Sequence, residues 1–202
     1  MGEPMPVKEG AGPNKSAGHL SLLSLPILTC RMVLRTPNLG DAEQIRIALS
    51  DHRLTRWFSR NYPPPKRKCA VALVRHIIAA RESGEYLTLM CFDRTSDKLL
   101  ASVGLSGFDW VNRNAELGYW VTAGKWGKGL ATEAASALCA RSFKTLNLHR
   151  IEAQVFPSNH ASVGVLTNLG FVREGASREK QLKGRTWFDL EMYGLLRKDF
   201  KG

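Results

Sequence analysis

Apolar residues recur along this chain with two different periods, and the switches between them mark its elements. Cys30 to Arg35 (Cys-Arg-Met-Val-Leu-Arg) alternates as a strand does, with successive side chains facing opposite ways. Asp41, with Gln44 three residues later, has the form of a capping box, and Ile45, Ala48 and Leu49 then form the apolar stripe of a short helix. Trp57 and Phe58 fall in a second short helical piece, as core or groove wall, which Tyr62-Pro63-Pro64-Pro65 ends. A longer helix is predicted over Lys66 to Glu82, with Ala70, Leu73, Val74, Ile77 and Ile78 inward and Gly84 as its stop. Tyr86 to Asp93 and Leu99 to Asp109 flank Arg94-Thr-Ser-Asp-Lys98 as a hairpin. There follow a strand over Glu116 to Thr122, a helix from about Trp126 to Leu146 on Leu130, Ala134, Leu138 and Phe143, and a strand over Arg150 to Phe156. A helix over Ser158 to Leu169 closed by Gly170, a short strand over Phe171 to Glu174 and a last strand over Thr186 to Leu196 complete the pattern. Strands and helices interleave, with hairpins among them. This predicts a single α/β domain whose central mixed sheet is mostly antiparallel and carries helices on both faces.

Residues 1–25 lack any period and are rich in Gly, Pro, Ser and Lys, so they are expected to form a disordered tail ahead of a domain over 26–202. Leu20 to Leu28 has the look of a signal-peptide core but lacks a small-residue cleavage site, which argues for a cytoplasmic protein. No apolar run reaches membrane-spanning length.

At 202 residues, with 44% hydrophobic and 23% charged residues, the chain is ordinary for one buried core; its net charge of +11 is not. Glu3, Lys8, Glu9 and Lys15 cancel, so the whole excess lies in the folded part. Such a surface favours CoA-like phosphates, acidic peptides or RNA. The aromatic platforms and basic stripes of a direct RNA binder are not found. Lys66, Arg67 and Lys68 open the long helix where charge opposes its dipole by about 0.3–1 kcal/mol each, as a solvated basic face tolerates. Cys30, Cys69, Cys91 and Cys139 form no CxxC pair and lie in or beside apolar runs, so buried, reduced thiols are expected. Without HExxH or a Cys/His cluster, no metal site is expected.

The candidate chemistry lies in Glu116-Leu-Gly-Tyr-Trp-Val-Thr-Ala-Gly-Lys-Trp-Gly-Lys-Gly-Leu-Ala-Thr-Glu-Ala134, a strand, a glycine-rich turn and a helix start. Glycines 124, 127 and 129 allow positive φ and close backbone approach, and the helix start adds unpaired N–H groups and a positive dipole end. With Lys125 and Lys128, the corner suits a phosphate or pyrophosphate. It is neither common phosphate loop. Lys128 is followed by Gly129 rather than the Ser or Thr of a Walker loop, and Thr132 stands where a dinucleotide fingerprint needs a small residue. On spacing alone, a glycine-softened corner with two solvated lysines fits equally well.

A second motif tips the balance. In Pro157-Ser-Asn-His-Ala-Ser-Val-Gly-Val-Leu-Thr-Asn-Leu-Gly-Phe171, residues Asn159, Ser162 and Leu166 share one helical face. The two motifs together resemble the GCN5-related N-acetyltransferases (GNAT), and within them the ribosomal-protein alanine N-acetyltransferase, RimJ/RimL-like, branch. The resemblance runs from about Pro26 to the C-terminus, from Arg31-Met-Val-Leu-Arg35 to Gly184-Arg-Thr-Trp-Phe-Asp-Leu190.

The resemblance implies an acetyl-CoA-dependent N-acetyltransferase without a metal, monomeric or homodimeric, acting on a primary amine. A protein N-terminus is the first acceptor, with nucleic acid met only through ribosomal proteins. A small amine, or a regulator that binds CoA without turnover, are the alternatives. Lys125, Trp126, Gly127, Lys128 and Gly129, with Leu130 and Ala131, match the loop whose N–H groups hold the CoA pyrophosphate. Tyr119, Trp120 and Val121 would bond the pantetheine arm through their backbone, on a strand splayed from the Arg150 strand. Asn159 would bond the pantetheine amides, and Ser162 would face the thioester sulfur unless it bonds its own helix. The family's Gln or Arg three residues before the first motif glycine is Gly124 here, with Lys125 beside it to compensate.

Direct attack of an amine on a thioester needs no protein nucleophile, only a base, an oxyanion donor and help for the leaving sulfur. The Trp120 or Val121 N–H is the candidate oxyanion donor. Glu116 is the first candidate base and Asp189, beside Trp187 and Phe188, the second; either can equally pin a loop. A glutamate that a known family member carries near position 180 is replaced by Lys180.

Overall fold

Eight strands are built from the alternating runs: β1 (Ile27–Leu28), β2 (Met32–Arg35), β3 (Leu87–Asp93), β4 (Leu99–Asp109), β5 (Asn114–Val121), β6 (Arg150–Val155), β7 (Val172–Lys183) and β8 (Thr186–Leu196). The helices are α1 (Ala42–Leu49), α2 (His52–Thr55), α3 (Arg67–Ser83), α4 (Leu130–Thr145) and α5 (His160–Asn168). The computed structural model describes residues 18–58 and 66–201. The strands form one sheet in the order β1-β2-β3-β4-β5-β6-β8-β7, antiparallel throughout except for β5 and β6.

The alternation of β3, β4 and β5 sends their apolar residues to two separate cores. On one face Leu34, Leu89, Val103 and Leu117 pack with Ala134 and Leu138 of α4 and Leu166 of α5. On the other, Met90, Phe92 and Leu99 pack with Ile45 of α1 and Val74 and Ile77 of α3. Burial of Leu130 and Leu138 contributes about 1.5–3 kcal/mol each. It fixes the first turn of α4 against the sheet, which positions the glycine corner just ahead of it.

The parallel pair is short. β5 and β6 register only over Asn114–Glu116 against Arg150–Glu152. Beyond that, β5 stays with β4 as far as Val121 and β6 stays with β8 as far as Val155. The sheet therefore opens in its middle, as the resemblance implied.

Several sequence expectations are corrected. Order begins before residue 26: Leu20 and Leu23 are wholly buried in the main core, and His19 stacks on Trp110 at 4.3 Å. A single helical turn is too short to show a period. Residues 1–17 of the expected tail, and Tyr62–Pro65, lie outside the described residues. The capping box is Asn38 with Asp41, one turn earlier than expected; Asp41 is taken by Arg35 at 2.7 Å, and the Gln44 side chain reaches Leu99 N instead. Trp57 and Phe58 follow α2 rather than lying in it. Helix α4 begins at Leu130 and not near Trp126, because Gly124, Gly127 and Gly129 hold φ of 82°, 73° and 71°. β7 runs on to Lys183, well past Glu174: an edge strand facing water carries charges in place of alternating apolar residues. Only Cys91 and Cys139 are buried, where burial pushes both thiols up, that of Cys139 to about 12. Cys30 and Cys69 are exposed.

Candidate active site

The opening between β5 and β6 is a cleft of about 1070 Å³ that reaches from the α4 N-terminus past α5 to the residues after α2. At one end is the glycine corner. Helix α4 has no side-chain cap, and its first backbone bond runs from Glu133 N to Gly129 O at 3.0 Å. The N–H groups of Leu130, Ala131 and Thr132 thus have no partner within the helix. A Cβ at Gly124 or Gly127 would meet nothing within 4 Å, so the turn presents bare backbone to open space. Lys125 and Lys128 are exposed beside it. Trp126 folds back so that its indole N–H donates to Val121 O at 2.8 Å, tying the turn to the end of β5.

Arg31, from the turn before β2, braces this corner from below. Its Nε donates to Glu133 Oε2 at 2.6 Å, its backbone N–H to Glu133 Oε1 at 2.9 Å, and a guanidinium nitrogen to Lys128 O at 2.7 Å. One side chain therefore fixes both the last turn carbonyl and the first helical turn. Sequence reasoning read Arg31 only as part of a strand; its partners lie about a hundred residues away and no local spacing reveals them.

Along the gap, register decides which groups face it. Thr122 N–H donates across to Leu100 O on β4 at 2.9 Å. In an antiparallel pair the alternate residues turn their N–H and C=O the other way, so Tyr119 and Val121 face the gap and Trp120 faces β4. Of the two candidate oxyanion donors, Val121 N–H is the one on the open side. The Val121 carbonyl is already held by Trp126, and the Trp120 side chain packs against the α1/α3 core.

Glu116 sits where the strands part, half-buried, and accepts from Gln154 Nε2 of β6 at 3.1 Å. Burial raises its pKa above the usual carboxylate value, with Glu152 adding to the rise and Gln154 and Lys180 opposing it. Across the cleft, Asn159 caps α5 by accepting from Ser162 N at 3.3 Å. Ser162 Oγ is 2.8 Å from the Tyr119 hydroxyl, which also lies 3.0 Å from Ser162 O; burial pushes the Tyr119 phenol up to about 12. At the far end the β7–β8 hairpin leans over the cleft, with Lys183 Nζ donating to Arg56 O and Phe188 edge-on to Phe156 at 5.6 Å.

The structure brings Glu116, Ser162, Asn159 and the glycine corner to one cleft and leaves Asp189 outside its lining. Asp189 is exposed and accepts from Glu179 N at 2.7 Å, where φ is 49°. That bond is the loop-pinning alternative: it holds a positive-φ point of β7. Among the described residues no group of His, Cys, Asp and Glu stands together to hold a metal ion, and no helix is long and apolar enough to cross a membrane.

Residues 31–172 match the family described as the acetyltransferase (GNAT) domain. The chain belongs to that family. This GNAT enzyme is 32% identical to the uncharacterised N-acetyltransferase p20 of Bacillus licheniformis, over 87% of its own chain and 98% of that protein. It is 34% identical to the [ribosomal protein uS5]-alanine N-acetyltransferase of Escherichia coli, over 48% of its own chain and 53% of that protein. Its fold superposes on that of spermidine N-acetyltransferase from Vibrio cholerae, in complex with CoA and spermine, with a TM-score of 0.73. That likeness covers 85% of this chain and 98% of the other at 21% identity, and it shows the fold alone.

The protein is thus an N-acetyltransferase with acetyl-CoA as co-substrate, and its residues fit that group: an uncapped helix start, a glycine turn open to solvent and two flanking lysines. The Arg31 brace adds an expected result. Arg31→Ala should weaken CoA binding about tenfold in calorimetry, the value of one charge-assisted hydrogen bond. Unchanged affinity would mean that the turn keeps its shape unaided.

Proposed function

We propose that this enzyme acetylates the α-amine of a protein or peptide N-terminus; its Escherichia coli relative is named for acetylating alanine of ribosomal protein uS5. One observation carries the reading. Among the described residues lining the cleft, Glu116 is the only carboxylate, while Arg53, Arg56, Lys125 and Lys128 are cationic. A polyamine would bring further positive charges to a lining that offers them no anion; an N-terminus brings a single ammonium. Amine acidity points the same way. An α-amine of pKa near 8 is roughly a quarter neutral at pH 7.4, whereas a lysine near 10.4 is about 0.1% neutral, a deficit of about 4 kcal/mol. A single half-buried carboxylate suffices for the first.

In this reading the turn Lys125 to Gly129, with Leu130 and Ala131, holds the pyrophosphate through its N–H groups. Tyr119 offers its backbone N–H and C=O to the pantetheine arm from β5, and Asn159 offers its side-chain amide nitrogen from the start of α5. Glu116, steadied by Gln154, takes the proton that the amine nitrogen sheds as its C–N bond forms. Val121 N–H serves the carbonyl oxygen, where charge develops. Ser162 Oγ–H is assigned to the sulfur that receives the electron pair of the broken C–S bond.

Thiol release from acetyl-CoA, measured against peptides with varied first residues and a panel of small amines including spermidine, tests the acceptor. The expected result is a kcat/KM for the best peptide at least about tenfold above every small amine, a margin of about 1.4 kcal/mol. The reverse order would transfer the assignment to a small-amine acetyltransferase.

A further inference from the structure

Strand β5 and helix α5 are joined across the cleft floor by one side chain. The Tyr119 hydroxyl lies 2.8 Å from Ser162 Oγ and 3.0 Å from Ser162 O, and its ring packs on the α4 side of the sheet. Tyr119 has one proton and two acceptors within reach. If that proton goes to the carbonyl, the phenol oxygen accepts from Ser162 and draws the only serine proton inward, away from the cleft. If it goes to Oγ, the serine proton is free to point into the cleft that Ser162 lines.

We propose that Tyr119 is a positioning residue for acetyl transfer: it donates to Ser162 Oγ and so turns the Ser162 proton toward the leaving sulfur. This rests on the assignment of Ser162 to that sulfur made above.

No proton leaves the pair. As the C–N bond forms and the C–S bond breaks, the electron pair passes to sulfur, and Ser162 O–H meets the new charge as a hydrogen-bond donor. The amine's proton goes through Glu116 to solvent, and solvent supplies the proton that completes the free thiol. A thiolate whose conjugate acid has a pKa of about 8.5 is too weak a base to deprotonate a phenol held at about 12. Tyr119 therefore stays neutral, and its donation into Oγ polarises the serine O–H and strengthens the second bond of the chain.

The state of the thiol of bound CoA reports on this directly, without any acceptor. In the full chain with CoA bound, thiolate ultraviolet absorption followed against pH gives the pKa of that thiol. A donated hydrogen bond favours the thiolate. Tyr119→Phe should therefore raise the thiol pKa by about one unit, Ser162→Ala by at least as much, and the double variant by no more than Ser162→Ala alone. In turnover, each single variant should lose about tenfold in kcat, with the KM for acetyl-CoA held within about twofold. A ring-fluorinated tyrosine at position 119, a stronger donor of nearly the same shape, should move the thiol pKa down, which no packing defect would do.

The outcomes separate the two layers of the assignment. If Ser162→Ala shifts the thiol and Tyr119→Phe does not, the tyrosine has no such role. Additive shifts in the double variant would show that it acts independently of Ser162, which equally overturns the proposal. If Ser162→Ala itself leaves the thiol unmoved, the serine assignment falls first and the tyrosine with it.

Discussion

Gly129→Val is expected to abolish the thermal stabilisation that CoA gives the wild-type enzyme. At a free concentration of a hundred times Kd, a ligand that binds only the folded state stabilises it by about 2.7 kcal/mol. For a chain of this size that is a rise of roughly 5–10 °C in Tm. Gly129 has φ of 71° at the N-cap of α4, and an added Cβ would come within 3.6 Å of the Arg31 guanidinium. A branched side chain in the left-handed region costs about 1–2 kcal/mol or more. Its Cβ would stand in ordinary contact with the side chain that holds Lys128 O and Glu133, so the strain is that of the backbone. The turn can relieve that strain only by rotating its peptides, and the N–H groups then no longer converge. The unliganded variant should melt a few degrees lower, and saturating CoA should add nothing. If CoA still raised its Tm by the wild-type amount, the diphosphate would have to bind elsewhere.

This corner was legible because its physics is local. Three glycines within six residues announce positive φ, and the strand before them and the helix after them are readable from their own periods. The α5 face of Asn159 and Ser162 was legible for the same reason. What escaped the sequence depends on residues far apart in the chain. Arg31 finds Glu133 and Lys128, Gln154 finds Glu116, and the Tyr119 hydroxyl finds Ser162, each across the sheet or beyond it. Trp120 and Val121 were indistinguishable as oxyanion donors until pairing with β4 fixed which N–H faces the gap. Asp189, beside two aromatics, reads equally well as a second base or as the pin of a loop. The irregularity of β7 between Ser177 and Gln181, invisible in the sequence, is what claims it.

Glu116→Gln should lower kcat/KM at neutral pH by about a hundredfold or more, the usual worth of a positioned base. It should also remove the acid limb of the pH profile that belongs to this carboxylate. The sign follows from its surroundings. Burial comes first among the causes and raises the folded-state pKa above 4.5. Only the ionised form accepts a proton, so wild-type activity should fall as pH drops through that raised value, while the variant keeps only the limb set by the amine itself. Stability must respond in the opposite sense. A carboxyl whose folded pKa lies above its unfolded one carries a cost that is absent below the unfolded pKa, grows as pH rises between the two and is complete above the folded one. Glutamine removes that cost and keeps a hydrogen-bonding partner for Gln154. The variant should therefore melt no lower than wild type at pH 7, with any advantage vanishing toward pH 4. A residue that merely pinned the parting strands would show the reverse pattern: a lower Tm at neutral pH, and an activity profile whose acid limb had not moved.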